Sequence, residues 1–181
     1  MLPRPSRVRQ SCTQRSQPAS STHHPRRHTD AYITLGRTQE RTVVLVSQGL
    51  FAVSAAIVLA LGTLHLVFTF RGRRFDPRDA ELLAKMKEVS PFITRQTTIW
   101  RAGQGFHASH SFGVMLFGLA YLYLALEPTH FLLGSHFLLG LGLVYLLAML
   151  VLARRYWFSV PFRGVSLSCI AYAGALVASA A

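Results

Sequence analysis

Apolar residues gather in four blocks after Thr42, separated by short polar stretches that are mostly basic. The blocks lie at about 43–70, 100–126, 131–153 and 160–181. A helix of about 20 residues spans the apolar core of a bilayer, and each block reaches that length. None of them shows the polar stripe that a soluble amphipathic helix would carry. The pattern predicts an all-α fold: a four-transmembrane-helix bundle with a disordered N-terminal tail. The first block, Val43–Phe70, has 28 residues and would extend about 42 Å at 1.5 Å per residue. That exceeds the ~30 Å apolar core, so the helix is tilted or begins in the interface. Ala52, Ala56 and Ala60 repeat every four residues, a small-residue stripe suited to close helix packing in lipid.

The polar stretches carry their own signals. After Arg71, Arg73 and Arg74 comes FDPRDAELLAKMKEVSP. Asp76 is suited to cap a helix, Pro77 to open it, and Asp79 and Glu81 to complement its positive end. Leu82, Leu83, Met86 and Val89 share one face, and Pro91 stops the segment. This predicts a short amphipathic helix at about 77–89 on the cytoplasmic membrane surface, packed on lipid or on the chain itself. Only about four residues join the second and third blocks, which makes them an antiparallel pair. Pro161 and Arg163 fall in the first turn of the fourth block, which is rich in Ala, Ser and Gly.

Residues 1–40 are rich in Arg, Ser, Thr, Pro and His and poor in large apolar residues. Such a segment buries too little surface to offset chain entropy, and disorder is expected. Two other readings stay open. The Arg- and Ser-rich, acid-poor composition suits a targeting segment, although Pro3, Pro5, Pro18 and Pro25 interrupt any amphipathic helix. Alternatively, translation starts downstream and the tail is not native.

The net charge of +12 would ordinarily raise nucleic acid as a partner, but its distribution points to a membrane instead. The stretches after the first and third blocks hold eleven Lys/Arg, eight within 71–106 and three at Arg154, Arg155 and Arg163. The tail near the first block holds four, Arg26, Arg27, Arg37 and Arg41. The positive-inside rule then puts loops 71–99 and 154–159 in the cytoplasm and both termini outside, in the inner (plasma) membrane. Arg71, Arg73, Arg74, Arg95, Trp100, Arg101, Arg154, Arg155, Trp157 and Arg163 are the expected membrane-interface anchors. Cys12 and Cys169 have no local partner, so neither a disulfide nor a cysteine metal site is expected.

Candidate chemistry rests on histidine. His65, His107, His110 and His136 lie in or beside the blocks, and ionisable groups at membrane depth are rare and point to function. His107 and His110, three residues apart, project from one helix face. His65 and His110 both fall toward the basic end and are expected to pair, whereas His136 enters from the opposite end. Structural hydrogen bonding between helices accounts for such residues without further chemistry. No cofactor is expected, with haem or a metal left open through His65 and His110. Ser109 and Ser111 beside His110 suggest a nucleophile and base, but sequence neighbours on one helix cannot form a triad. No phosphate loop, nucleophile elbow or H-E-x-x-H motif is present.

The strings F-x-P-R-D-A-x-L-x-x-x-M-K-x-V-S-P, T-R-Q-T-T-x-W-R-A, G-F-x-A-S-H-S-F-G and R-R-Y-W-F-S-x-P-F-R-G resemble an uncharacterised family of small four-span bacterial integral membrane proteins. The resemblance covers about residues 43–181. It implies the fold and a membrane location but no activity. That family commonly has Asn where His107 stands, which favours His110 over His107 as a ligand candidate. The expectation is a non-enzymatic protein that packs with the lipid bilayer, a membrane partner or a second copy of itself, with no nucleic acid. The alternative is a small redox or transport component that uses His65 and His110.

Overall fold

In the computed structural model the backbone is described for residues 26–180 and side chains from residue 38 onward. Expectations about Cys12 and the rest of residues 1–25 lie outside the described residues. The chain divides into residues 1–36 and 37–181; in the first unit the described backbone, 26–36, is helical.

Every described element is a helix: α1 (Arg26–Phe70), α2 (Ala80–Glu88), α3 (Ile99–Leu126), α4 (Phe131–Gly134), α5 (His136–Tyr156) and α6 (Ser159–Ala180). Four of them are long and apolar enough to cross a membrane, Thr38–Phe70 of α1 and the whole of α3, α5 and α6. The chain therefore has the make-up of a multi-pass membrane protein, as its block pattern predicts. Large apolar side chains such as Leu45, Leu116, Val144 and Ile170 face outward along all four, the arrangement that a lipid solvent permits and water penalises.

Three boundaries differ from the sequence expectation. Helix α1 begins at Arg26 rather than near Val43. No proline follows Pro25 until Pro77, and once the apolar segment has nucleated a helix, extending it costs little per residue. The surface helix starts at Ala80, not at 77, because Asp79 is the cap: its carboxylate accepts from the N–H groups of Glu81 and Leu82. Asp76 instead pairs with Arg73 at 3.4 Å in the preceding turn. The third apolar block breaks at Ser135, which adopts an extended backbone and caps α5 by accepting from Leu138 N–H. Just before it, His130 takes a left-handed conformation, φ 57°.

The spans pack as an antiparallel ring in the order α1, α3, α5, α6. Small residues set each contact. Gly118 of α3 lies against the backbone of Leu59 in α1, so close that a Cβ would sit 2.8 Å from the Leu59 nitrogen. Gly62 of α1 meets Val114 and Met115 of α3, and Gly164 of α6 meets Leu61. Gly142 of α5 makes room for two phenols: Tyr121 donates to the Leu138 carbonyl at 2.7 Å and Tyr172 to that of Leu139 at 2.9 Å. These rings, with Phe51, Ala125, Leu132, Leu146 and Ala175, form the buried centre. The alanine stripe does not make the α1 contact, since Ala56 and Ala60 are exposed. The buried face is Ser47, Phe51, Ser54, Ala55 and Val58, because that face matches Gly118 of α3 and Ser168 of α6.

Candidate functional site

The basic end of the bundle is built from the last turns of α1, the first turns of α3 and α6, the end of α5, and α2. Helix α2 is a surface helix with one buried residue, as the sequence predicts. It is clasped to α3 by a hydrogen bond from Ile99 N–H to the Val89 carbonyl at 2.9 Å. Leu83 is buried, Leu82 is exposed, and Lys87 lies 5.9 Å above the Trp100 ring. This packing closes one side of a cavity of about 130 Å³, lined by Phe68, Thr69, Phe75, Asp76, Gln104 and His107 among others.

Three histidines converge beside that cavity. His65 of α1 faces His107 and His110 of α3, with ring centroids 5.3 and 5.7 Å away. His65 Nε2 lies 3.3 Å from His107 Nδ1. The His65–His110 meeting that the sequence suggests is present as an edge-to-face contact, and the nitrogen-to-nitrogen contact falls on His107. Position within the helix decides this: one turn earlier in α3, His107 stands opposite His65, while His110 turns toward the α5 end and packs edge-on against Trp157 at 5.7 Å. Phe75, in the turn after α1, covers the pair, stacked on His107 at 5.1 Å and tilted on His65 at 4.8 Å. The backbone beneath is pinned as well. Thr69 Oγ1 donates to the His65 carbonyl and Ser111 Oγ to that of His107.

The remaining candidates fall where depth places them. His136 lies at the other end, where it lines a second cavity of about 500 Å³ with Val43, Ser47, Leu133 and Leu176. Ser109 and Ser111 spend their hydroxyls on the carbonyls of Phe106 and His107, which leaves neither aimed at an imidazole as a nucleophile. Arg71, Arg73, Arg74, Arg95, Trp100, Arg101, Arg154, Arg155, Trp157 and Arg163 all cluster at the basic end, at helix termini or in the turns between them. Arg74 lies over Phe68 and Arg154 over Phe162. Sequence reasoning missed Phe75 and Trp157 as walls of the histidine cluster; aromatic residues just outside an apolar block are read as interface anchors, and nothing in their spacing says otherwise. It also missed the pair formed by Gln48 Nε2 and His130 Nδ1 at 2.8 Å, whose partners are 82 residues apart.

Comparison with protein-family models, with curated proteins and with solved structures gave no match to this chain.

Proposed function

We propose that the chain is an integral protein of a bacterial inner membrane that handles a small cation or proton at the histidine cluster, as a transport component. The observation that carries this reading is the meeting of His65, His107 and His110 from two different spans. Packing alone does not call for it. The helix contacts are made by Gly, Ser and Tyr, and three imidazoles brought together at one end add desolvation and mutual repulsion if they charge. A cavity lies at each end, one lined by His107 and the other by His136, and passage between them would require the packed Phe51–Tyr121–Tyr172 centre to open. The lysine and arginine asymmetry supports a reading with the basic end in the cytoplasm and both termini outside. Flux of protons and of divalent metal into proteoliposomes, followed with internal dyes, tests the proposal. Wild-type protein should exceed empty vesicles, and His65→Leu should abolish the excess; equal flux in protein-loaded and empty vesicles refutes transport.

A second reading rests on the loop between α2 and α3, where Phe92 and Ile93 are almost fully exposed beside Arg95. An apolar pair flanked by a cation suits insertion among lipid headgroups or docking to a membrane partner. On this reading the protein is a non-enzymatic packing component, and Phe92→Ser with Ile93→Ser would release it from its partner without changing flux.

A further inference from the structure

We propose that His65 Nε2 and His107 Nδ1 chelate one d-block metal ion of the Zn²⁺ class; the inference deepens the cation-handling reading and rests on it. The geometry is the first support. Zn²⁺–imidazole bonds of about 2.05 Å at a tetrahedral angle place two nitrogens about 3.3 Å apart. The two ring nitrogens stand 3.3 Å apart. The same two nitrogens can share a hydrogen bond at this separation when no ion is bound. Chemistry is the second support, because imidazole pairs select Zn²⁺, Cu²⁺ and Ni²⁺ over Mg²⁺ and Ca²⁺.

The His110 ring lies 5.7 Å from that of His65, edge to face. Among the described residues no three His, Cys, Asp or Glu side chains are placed to hold one metal ion, so the chelate rests on the pair, with the remaining positions left to water. An incompletely filled coordination shell is what a transported or exchangeable ion requires, in contrast to a closed structural site. His107 also lines the cavity that holds Asp76, Thr69 and Gln104, which brings polar groups beside the pair; the Asp76 carboxylate itself is shared with Arg73. Phe75 and Trp157 cover the rings and limit competing water.

The test is equilibrium dialysis of Zn²⁺ against the detergent-solubilised full chain, stripped with a chelator and carrying no histidine tag. His23→Gln, His24→Gln and His28→Gln are introduced throughout, so that the N-terminal histidines do not contribute. One Zn²⁺ per chain is expected. His65→Gln and His107→Gln should each weaken binding by more than the ~10–100-fold typical of changes outside the ligand shell, and His136→Gln should leave it unchanged. The electron paramagnetic resonance spectrum of unsubstituted cluster protein with one Cu²⁺ counts the imidazole nitrogens directly and does not depend on any cluster variant folding. Fewer than two nitrogens, absent stoichiometric binding, or binding that survives both substitutions overturns the chelate. Flux without binding removes the chelate and leaves the transport reading standing; binding without flux does the reverse.

Discussion

Ser54 of α1 and Ser168 of α6 hold each other reciprocally. Ser54 Oγ donates to the Ser168 carbonyl at 2.9 Å, Ser168 Oγ donates to the Ser54 carbonyl at 3.0 Å, and the two oxygens lie 2.8 Å apart. Both side chains are buried. With lipid in place of water there is little hydrophobic drive between spans, so close approach and shared polar groups fix the interface. Either serine alone can still donate across the crossing, whereas the double substitution leaves nothing. Thermal unfolding in detergent should therefore give non-additive losses for Ser54→Ala and Ser168→Ala, with a coupling of about 0.6 kcal/mol and no more than about 1.7. Strict additivity would mean that the two hydroxyls act independently.

Gly118→Ala tests the α1–α3 crossing. The added Cβ would lie 2.8 Å from both the nitrogen and the Cβ of Leu59. A helix backbone cannot yield locally, so the helices must separate, at a cost of about 1–3 kcal/mol. In the same helix Gly105 and Gly113 have nothing within 4 Å of a built Cβ. There alanine should be neutral or stabilise by up to about 1 kcal/mol. Equal effects at all three positions would contradict the crossing.

Much of this architecture is legible in the sequence because the lipid constraint acts over long windows. Four blocks and an Asp-capped amphipathic segment between the first two suffice for the number and order of the spans. Which face of a span turns inward is not legible. Ala52, Ala56 and Ala60 look like a packing stripe, yet Ser54 and Ala55 are buried instead, since the choice depends on where Gly118 and Ser168 fall on other helices. The break at Ser135 is hidden for a similar reason: one cap residue inside an apolar run barely alters its average. For the cluster, the sequence brings three histidines to one end. It brings His65 to His110, which do meet edge to face, but not to His107, whose ring nitrogen lies nearer, because a three-residue shift along α3 decides which ring stands opposite.

His130 offers a test of backbone strain. Its φ of 57° lies in the left-handed region, which costs a non-glycine residue about 1–2 kcal/mol. Alanine and glycine at this position both lose the bond to Gln48, but only glycine relieves the strain. His130→Gly should be more stable than His130→Ala by about 1 kcal/mol. Equal melting temperatures for the two variants would argue against a strained conformation at residue 130.

The same connector carries an acid-sensitive contact. The Thr129 hydroxyl donates to the Glu127 carboxylate and holds that carboxyl below its usual range, with further help from the N–H groups of Thr129 and Phe131. A carboxylate depressed by folding stabilises the folded state above its unfolded pKa, and that contribution is lost as pH falls through the folded value. Melting temperature between pH 6 and 3 should therefore drop more steeply for the wild type than for Thr129→Val. Parallel curves would show that the contact contributes nothing.

The last prediction separates packing from metal binding at the histidine cluster. With a chelator present, His65 and His107 share only one long hydrogen bond and the cover of Phe75. His65→Leu and His107→Leu should then couple by about 0.6 kcal/mol, the average for an interhelical hydrogen bond in a membrane protein. His65→Leu and His110→Leu should couple less, because these rings meet edge to face. Adding Zn²⁺ should raise the wild-type melting temperature and leave both single variants at position 65 and position 107 unmoved, because only the intact pair binds the ion and binding to the folded state alone stabilises it. Should the His65–His110 cycle show the larger coupling, α3 presents a different face to α1 and the pairing drawn from the 3.3 Å contact is wrong. A melting temperature that rises equally in His107→Leu would place the ion elsewhere.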